Sequence, residues 1–155
     1  MTRVDLTVQY ASRSRAVPAE TALRRWVSAA LGGGRRAALT VRIVDRAESR
    51  RLNSRWRGRR KPTNVLSFPF GDRGIPGARG HIGDIVVCAP VVNAEASAQG
   101  KSREQHWAHI LVHGTLHLLG HDHDVGARAA RMEALERRLL ARMGYPDPYQ
   151  SGTSA

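Results

Sequence analysis

The sequence predicts an α/β (α+β) fold: one domain, with a mixed four-stranded sheet packed against about five helices. Three observations carry that expectation. Segments of alternating or continuous apolar character are interleaved with segments of helical periodicity, and no internal repeat or linker interrupts them. At 155 residues with 41% hydrophobic content the chain suits one core, able to bury about 68–70% of its unfolded surface. The unbroken apolar run Ile85-Val86-Val87-Cys88-Ala89 falls within one of the strand segments, His81 to Ala89. The domain is expected to occupy residues 1–150, with 151–155 as a flexible tail.

In order, Val4 to Tyr10 is a first strand, and Pro18 opens a helix to Leu31 with Leu23, Trp26, Val27 and Leu31 on one face. Gly32-Gly33-Gly34 ends it. Ala38 to Val44 is a second strand. Asp45 and Glu48 form a capping-box pair for a short helix reaching Trp56. The basic loop Arg57-Gly58-Arg59-Arg60-Lys61-Pro62 leads to a third strand, Thr63 to Phe68, closed by Pro69. Gly71 to Gly80 reads as an exposed, mobile loop. His81 to Ala89 is the fourth strand, and a helix follows from Pro90 to Gly100. Ser102 and Gln105 form another capping box, opening a long helix. A last helix, about Val125 to Met143, buries Met132, Leu135, Leu139 and Leu140, is capped by Gly144, and precedes a polar, frayed tail from Tyr149.

The long helix carries His113 and His117 of the stretch His113-Gly114-Thr115-Leu116-His117-Leu118-Leu119-Gly120-His121-Asp122-His123. His113 and His117 stand one turn apart on one helix face, with about 5–6 Å between Cβ atoms. That spacing lets two imidazoles reach one metal ion at about 2.0–2.1 Å. Gly120 lets the chain leave the helix in a left-handed conformation, so that His123 can return as a third ligand. Three nitrogens leave a fourth position for water, as in a catalytic zinc site. The spacing is that of the metzincin proteases except that Gly114 stands where their glutamate follows the first histidine. Asp122 is expected either to accept a ligand's imidazole N–H or to cap a helix. Asp84 is a runner-up acid, and His109 a groove wall or phosphate contact.

The formal charge is +12, from 25 Lys and Arg against 13 Asp and Glu, and points to a polyanionic partner, nucleic acid above all. Arg59, Arg60 and Lys61, with Arg73 and Arg79, are candidates for tracking an RNA backbone, and Trp56 and Phe70 for stacking on unpaired bases. The single Cys88 forms no internal disulfide and reads as core filler in a reducing, cytoplasmic setting. No apolar stretch approaches a membrane span, and the N-terminus has no signal-peptide core, so no membrane partner is expected.

The histidine stretch resembles the signature of the YbeY family, bacterial zinc endoribonucleases that mature ribosomal RNA. Pro62-Thr-Asn-Val-Leu-Ser-Phe-Pro69 with the preceding Arg57, Gly83-Asp84-Ile85, Met132-Glu-Ala-Leu-Glu136, Met143-Gly144-Tyr145 and Asp147-Pro148-Tyr149 are also similar to family stretches. The family often has Tyr where this chain has His121. The resemblance implies one zinc ion per chain and cleavage of single-stranded RNA in 16S rRNA 3′-end maturation and ribosome quality control. It also implies docking on the small ribosomal subunit beside an Era-type GTPase. Under it, zinc on His113, His117 and His123 lowers the pKa of a water towards about 7. Arg57 stabilises charge on the phosphoryl group, and Arg57 and His113 are the catalytic pair. Two other classes fit the residues: a zinc peptidase or amidohydrolase, which Gly114 disfavours, and a non-catalytic ribosome-assembly factor with zinc.

Overall fold

The computed structural model describes residues 3–32, 36–70, 80–121 and 126–150. In chain order these form β1 (Arg3–Tyr10), α1 (Glu20–Leu31), β2 (Arg36–Val44), α2 (Arg46–Arg57), β3 (Val65–Pro69), β4 (His81–Cys88), α3 (Ala89–Ala98), α4 (Arg103–Leu118) and α5 (Gly126–Arg142). The sheet order is β1-β2-β4-β3. β1 pairs parallel with β2 and β2 parallel with β4, while β3 runs antiparallel along β4 as an outer strand. The expected mixed sheet of four strands and five helices is present among the described residues. None of the described helices is long and apolar enough to cross a membrane.

Side-chain alternation divides the sheet's two faces. Leu39, Val41, Ile43, Ile85 and Val87 join the main core with Leu23, Trp26 and Val27 of α1 and with Trp107, Leu111 and Leu116 of α4. Leu66, Val86 and Cys88 point the other way, into a smaller cluster that includes Leu52 of α2 and Phe68. Thus α4 and α2 lie on opposite faces of the sheet. Cys88 is core filler, and burial raises its thiol pKa.

Four expectations are corrected. Asp45 and Glu48 do not form a capping box: no side chain caps α2. The Asp45 carboxylate accepts from Ser12 Oγ and the Arg13 amide, and Glu48 accepts from Arg42 Nε at 2.6 Å and Nη2 at 3.0 Å. Tertiary partners outcompete the local ones there. The third strand starts at Val65, because Thr63 is tied to α2 through Ser49: the Thr63 amide donates to Ser49 Oγ, which donates back to the Thr63 carbonyl. In α5 the buried stripe is Met132, Glu136, Leu139 and Leu140, with a carboxylate where apolar Leu135 was expected; Leu135 is partly buried. Tyr149 is docked, not frayed, since its hydroxyl donates to Glu136. The Ser102–Gln105 capping box forms as expected, with the Gln105 amide donating to Ser102 Oγ at 3.1 Å. The Gly71–Gly80 loop falls outside the described residues except for Gly80, and 151–155 lie outside them altogether.

Candidate metal centre

Helix α4 is held between α1, α3 and α5 and lies along β3. Its buried positions cover most of its circumference, leaving His109, His113 and His117 partly accessible along one stripe. Successive ring centroids along His106, His109, His113 and His117 are 6.3, 6.1 and 4.6 Å apart. Gly120 ends this segment at φ 95°, the left-handed turn expected of it, with its amide donating to the His117 carbonyl.

Nε2 of His113 and Nε2 of His117 are 3.1 Å apart. Two nitrogens at about 2.0–2.1 Å from a tetrahedral ion stand roughly 3.3 Å from each other, so the pair has the separation of a shared ion. Nδ1 of His113 meets Glu136 Oε2 at 2.7 Å. A carboxylate accepts only, so Nδ1 carries the proton, which leaves Nε2 as the nitrogen able to offer a lone pair towards His117. Two imidazoles facing each other in this way suit a cation or a shared proton, and the donor set fits a divalent metal.

Glu136 has no accessible surface, and Tyr149 donates to its other oxygen. Burial alone would raise its carboxyl, but the nearby His109 and the hydrogen bonds from His113 and Tyr149 outweigh that and hold it far below the ordinary range. In Tyr149, burial first and the Glu136 contact second push the phenol pKa up. His109, 14% exposed at its side chain, lies 3.6 Å from Glu136 Oε2, within ion-pair reach but too far for a hydrogen bond. Burial lowers its pKa against the pull of Glu136.

His109, His113 and Glu136 also form a group whose donor atoms lie within 4.8 Å of one another and could hold a metal ion. The 2.7 Å contact inside that trio is shorter than the edge between two ligands and matches a charge-assisted hydrogen bond. Glu136 therefore reads best as the residue that orients His113, leaving Nε2 of that ring on the His117 side. Sequence reasoning missed Glu136 and Tyr149 in this role. The available signal was an acid three and four residues before Leu139 and Leu140, inside an apolar stripe.

Gly114 has a packing reason. A Cβ there would stand 3.1 Å from Ile85 Cγ2 and 3.3 Å from Ser67 Oγ, and Ser67 donates to the Gly114 carbonyl. The position faces the sheet, so a glutamate there would be buried against it, away from the imidazoles.

His123 and Asp122 lie outside the described residues. Arg57 ends α2, and Arg59, Arg60 and Lys61 follow it, all exposed. Arg60 joins Arg50, Arg51, Ser54 and Arg55 around one depression. No contact brings these cations to the histidines among the described residues. Asp84 is paired with His81 at 3.2 Å. Trp56 is 61% exposed and packs edge-on against Phe68 at 6.1 Å.

Fold and site define an α/β protein with a metal-capable histidine–carboxylate centre and a strongly basic surface. The chain belongs to the YbeY family: the family model described as "Endoribonuclease YbeY" matches residues 9–144. It is 56% identical over 152 residues to a protein named "Endoribonuclease YbeY" from Alkalilimnicola ehrlichii, covering 95% of this chain and 92% of that one. It is 54% identical over 153 residues to a protein of the same name from Halorhodospira halophila, covering 97% and 99%. A solution structure of a Thermotoga maritima protein shares the fold with a TM-score of 0.53 at 20% identity, over 93% of this chain and 99% of that one.

Proposed function

We propose that this protein is a metal-dependent endoribonuclease that cuts single-stranded RNA, with one zinc ion per chain held by His113, His117 and His123. The observation that carries the reading is the facing Nε2 pair at 3.1 Å, with the far nitrogen of His113 anchored to buried Glu136, in a chain whose close relatives are named endoribonucleases. A zinc ion bound there would supply Lewis acidity to a water and to a phosphoryl oxygen near neutral pH.

The chain's own residues do the rest. Glu136 keeps the His113 tautomer fixed and its ring in place, and Tyr149 fixes Glu136 in turn. Asp122 accepts the N–H of a ligand imidazole. Arg57 pairs with the non-bridging phosphoryl oxygens as charge builds on them, while Arg59, Arg60 and Lys61 hold the flanking backbone. A side chain at Gly114 would press on Ile85 and Ser67, which disfavours a peptidase-type glutamate at that position. The substrate is the 3′ end of precursor 16S rRNA on the small ribosomal subunit, beside an Era-type GTPase, and the setting is the cytoplasm. The catalytic domain spans residues 1–150, with 151–155 as a tail.

The test is a digest of single-stranded and duplex RNA by the zinc-loaded protein, the chelated protein and His117→Ala. Cutting of single strands by the loaded protein alone is expected. RNA bound but left intact in every arm would favour a non-catalytic assembly role, and peptide cleavage without RNA cleavage would overturn the proposal.

A further inference from the structure

We infer that the outer face of α2, centred on Arg50, Arg51 and Arg55, is a second binding site for the sugar–phosphate backbone of single-stranded RNA, across the sheet from the histidines and continuous at Arg60 with the cations that flank the cut. The inference rests on the reading that RNA is the substrate. It adds an anchor remote from the bond that is cut.

Helix α2 carries Arg46, Arg50, Arg51, Arg55 and Arg57 against one acid, Glu48. That acid is held by Arg42, and Asp45 at the helix start is held by Ser12 and Arg13. The outer arginines therefore repel one another at i, i+4 spacing, Arg46 with Arg50 and Arg51 with Arg55. Arg46 and Arg50 also lie in the helix's N-terminal half, where the macrodipole disfavours cations. The buried side of α2 is modest, with Leu52 packed on the small cluster and Ser49 and Asn53 buried as polar ties. Nothing in folding asks for this charge arrangement; a polyanion does.

The residues also make a shaped place. Arg50, Arg51, Ser54, Arg55 and Arg60 line an open depression of about 490 Å³. Arg55 lies over the Trp56 ring at 5.4 Å, and exposed Trp56 leans on Phe68 of β3. Phosphate-binding guanidinium groups thus pass directly to an aromatic face that can stack a base, at the margin of the sheet's outer strand. A single strand held in the depression reaches the α4 face by passing round the β3 edge.

The experiment uses the full chain and the double variant Arg50→Gln/Arg51→Gln, both positions being exposed and remote from the histidines. Binding is measured against salt for a short single-stranded RNA of about 4 nucleotides and for one several times longer. The variant should bind the long RNA about tenfold more weakly, with a log–log salt slope shallower by about 1.4 for two lost phosphate contacts. Binding and cutting of the short RNA should not change. Arg55→Gln provides an independent variant expected to move the same way. Equal losses on both RNAs would place these arginines in the cutting cleft, and an unchanged slope on the long RNA would remove them from binding; either overturns the inference. Failure of the unmodified protein to cut either RNA would overturn the endoribonuclease reading, while the salt slope would still report on α2.

Discussion

Glu136, without accessible surface, accepts a 2.7 Å hydrogen bond from Nδ1 of His113, although 23 residues separate the two in sequence. This contact decides which nitrogen of His113 faces His117. Glu136→Gln keeps the volume but removes the charge and allows either amide group to face the ring. We expect metal affinity, read by chelator competition, to fall about 10- to 100-fold. Unchanged affinity would make Glu136 a bystander.

Tyr149 supplies the second hydrogen bond to that carboxylate. Tyr149→Phe should cost about 1.5–3 kcal/mol in denaturant unfolding, the range for a hydrogen bond to a charged group. Metal affinity should fall less than in Glu136→Gln, because the His113 contact survives. Unfolding indistinguishable from the parent protein would contradict the docking of this segment.

Gly83 is required by contact. An added Cβ would stand 2.4 Å from the Phe68 carbonyl oxygen, 2.7 Å from Leu118 Cδ2 and 3.0 Å from Pro69 Cα. Two of those neighbours are backbone and cannot step aside. Gly83→Ala should destabilise the protein by at least about 1–3 kcal/mol and loosen the turn of α4 that holds His117. Wild-type unfolding and metal binding in this variant would show that the sheet margin can open freely.

Acid stability offers a further check through Glu95. Burial pushes its carboxyl up, but hydrogen bonds with His106 at 2.9 Å and Asn64 at 3.1 Å prevail and hold it below the ordinary 4.5. A depressed folded pKa means that the stabilisation is complete above pH 4.5 and is lost as pH falls through the lower folded value. Glu48 and Asp45 shift in the same sense. Stability followed against pH by denaturation should fall from about 4.5 downward, and Glu95→Gln should flatten that limb. Identical acid limbs would remove Glu95 from the account.

Trp56 tests the stacking surface. Trp56→Ala should weaken single-stranded RNA binding by about 1–3 kcal/mol while changing stability by no more than about 0.5 kcal/mol, since the ring is largely exposed. A large stability loss with intact RNA affinity would show the ring acting as packing.

The sequence by itself determined the elements and the paired histidines, because both depend on local periodicity: β4's apolar run, α4's capping box and the four-residue step from His113 to His117 are all short-range facts. It also determined the excess of cations. It did not reveal that Asp45 and Glu48 would abandon their helix for Ser12, Arg13 and Arg42, since local caps yield to partners that only folding supplies. Nor did it distinguish Glu136 from a surface acid. Tertiary structure alone brought Glu136 and Tyr149 behind His113, turned Gly114 into the sheet, and put Arg50, Arg51 and Arg55 of α2 on the face opposite the histidines. Burial explains the difference: a carboxylate with no water around it must find donors, and which donors reach it depends on how helices pack, not on their order in the chain.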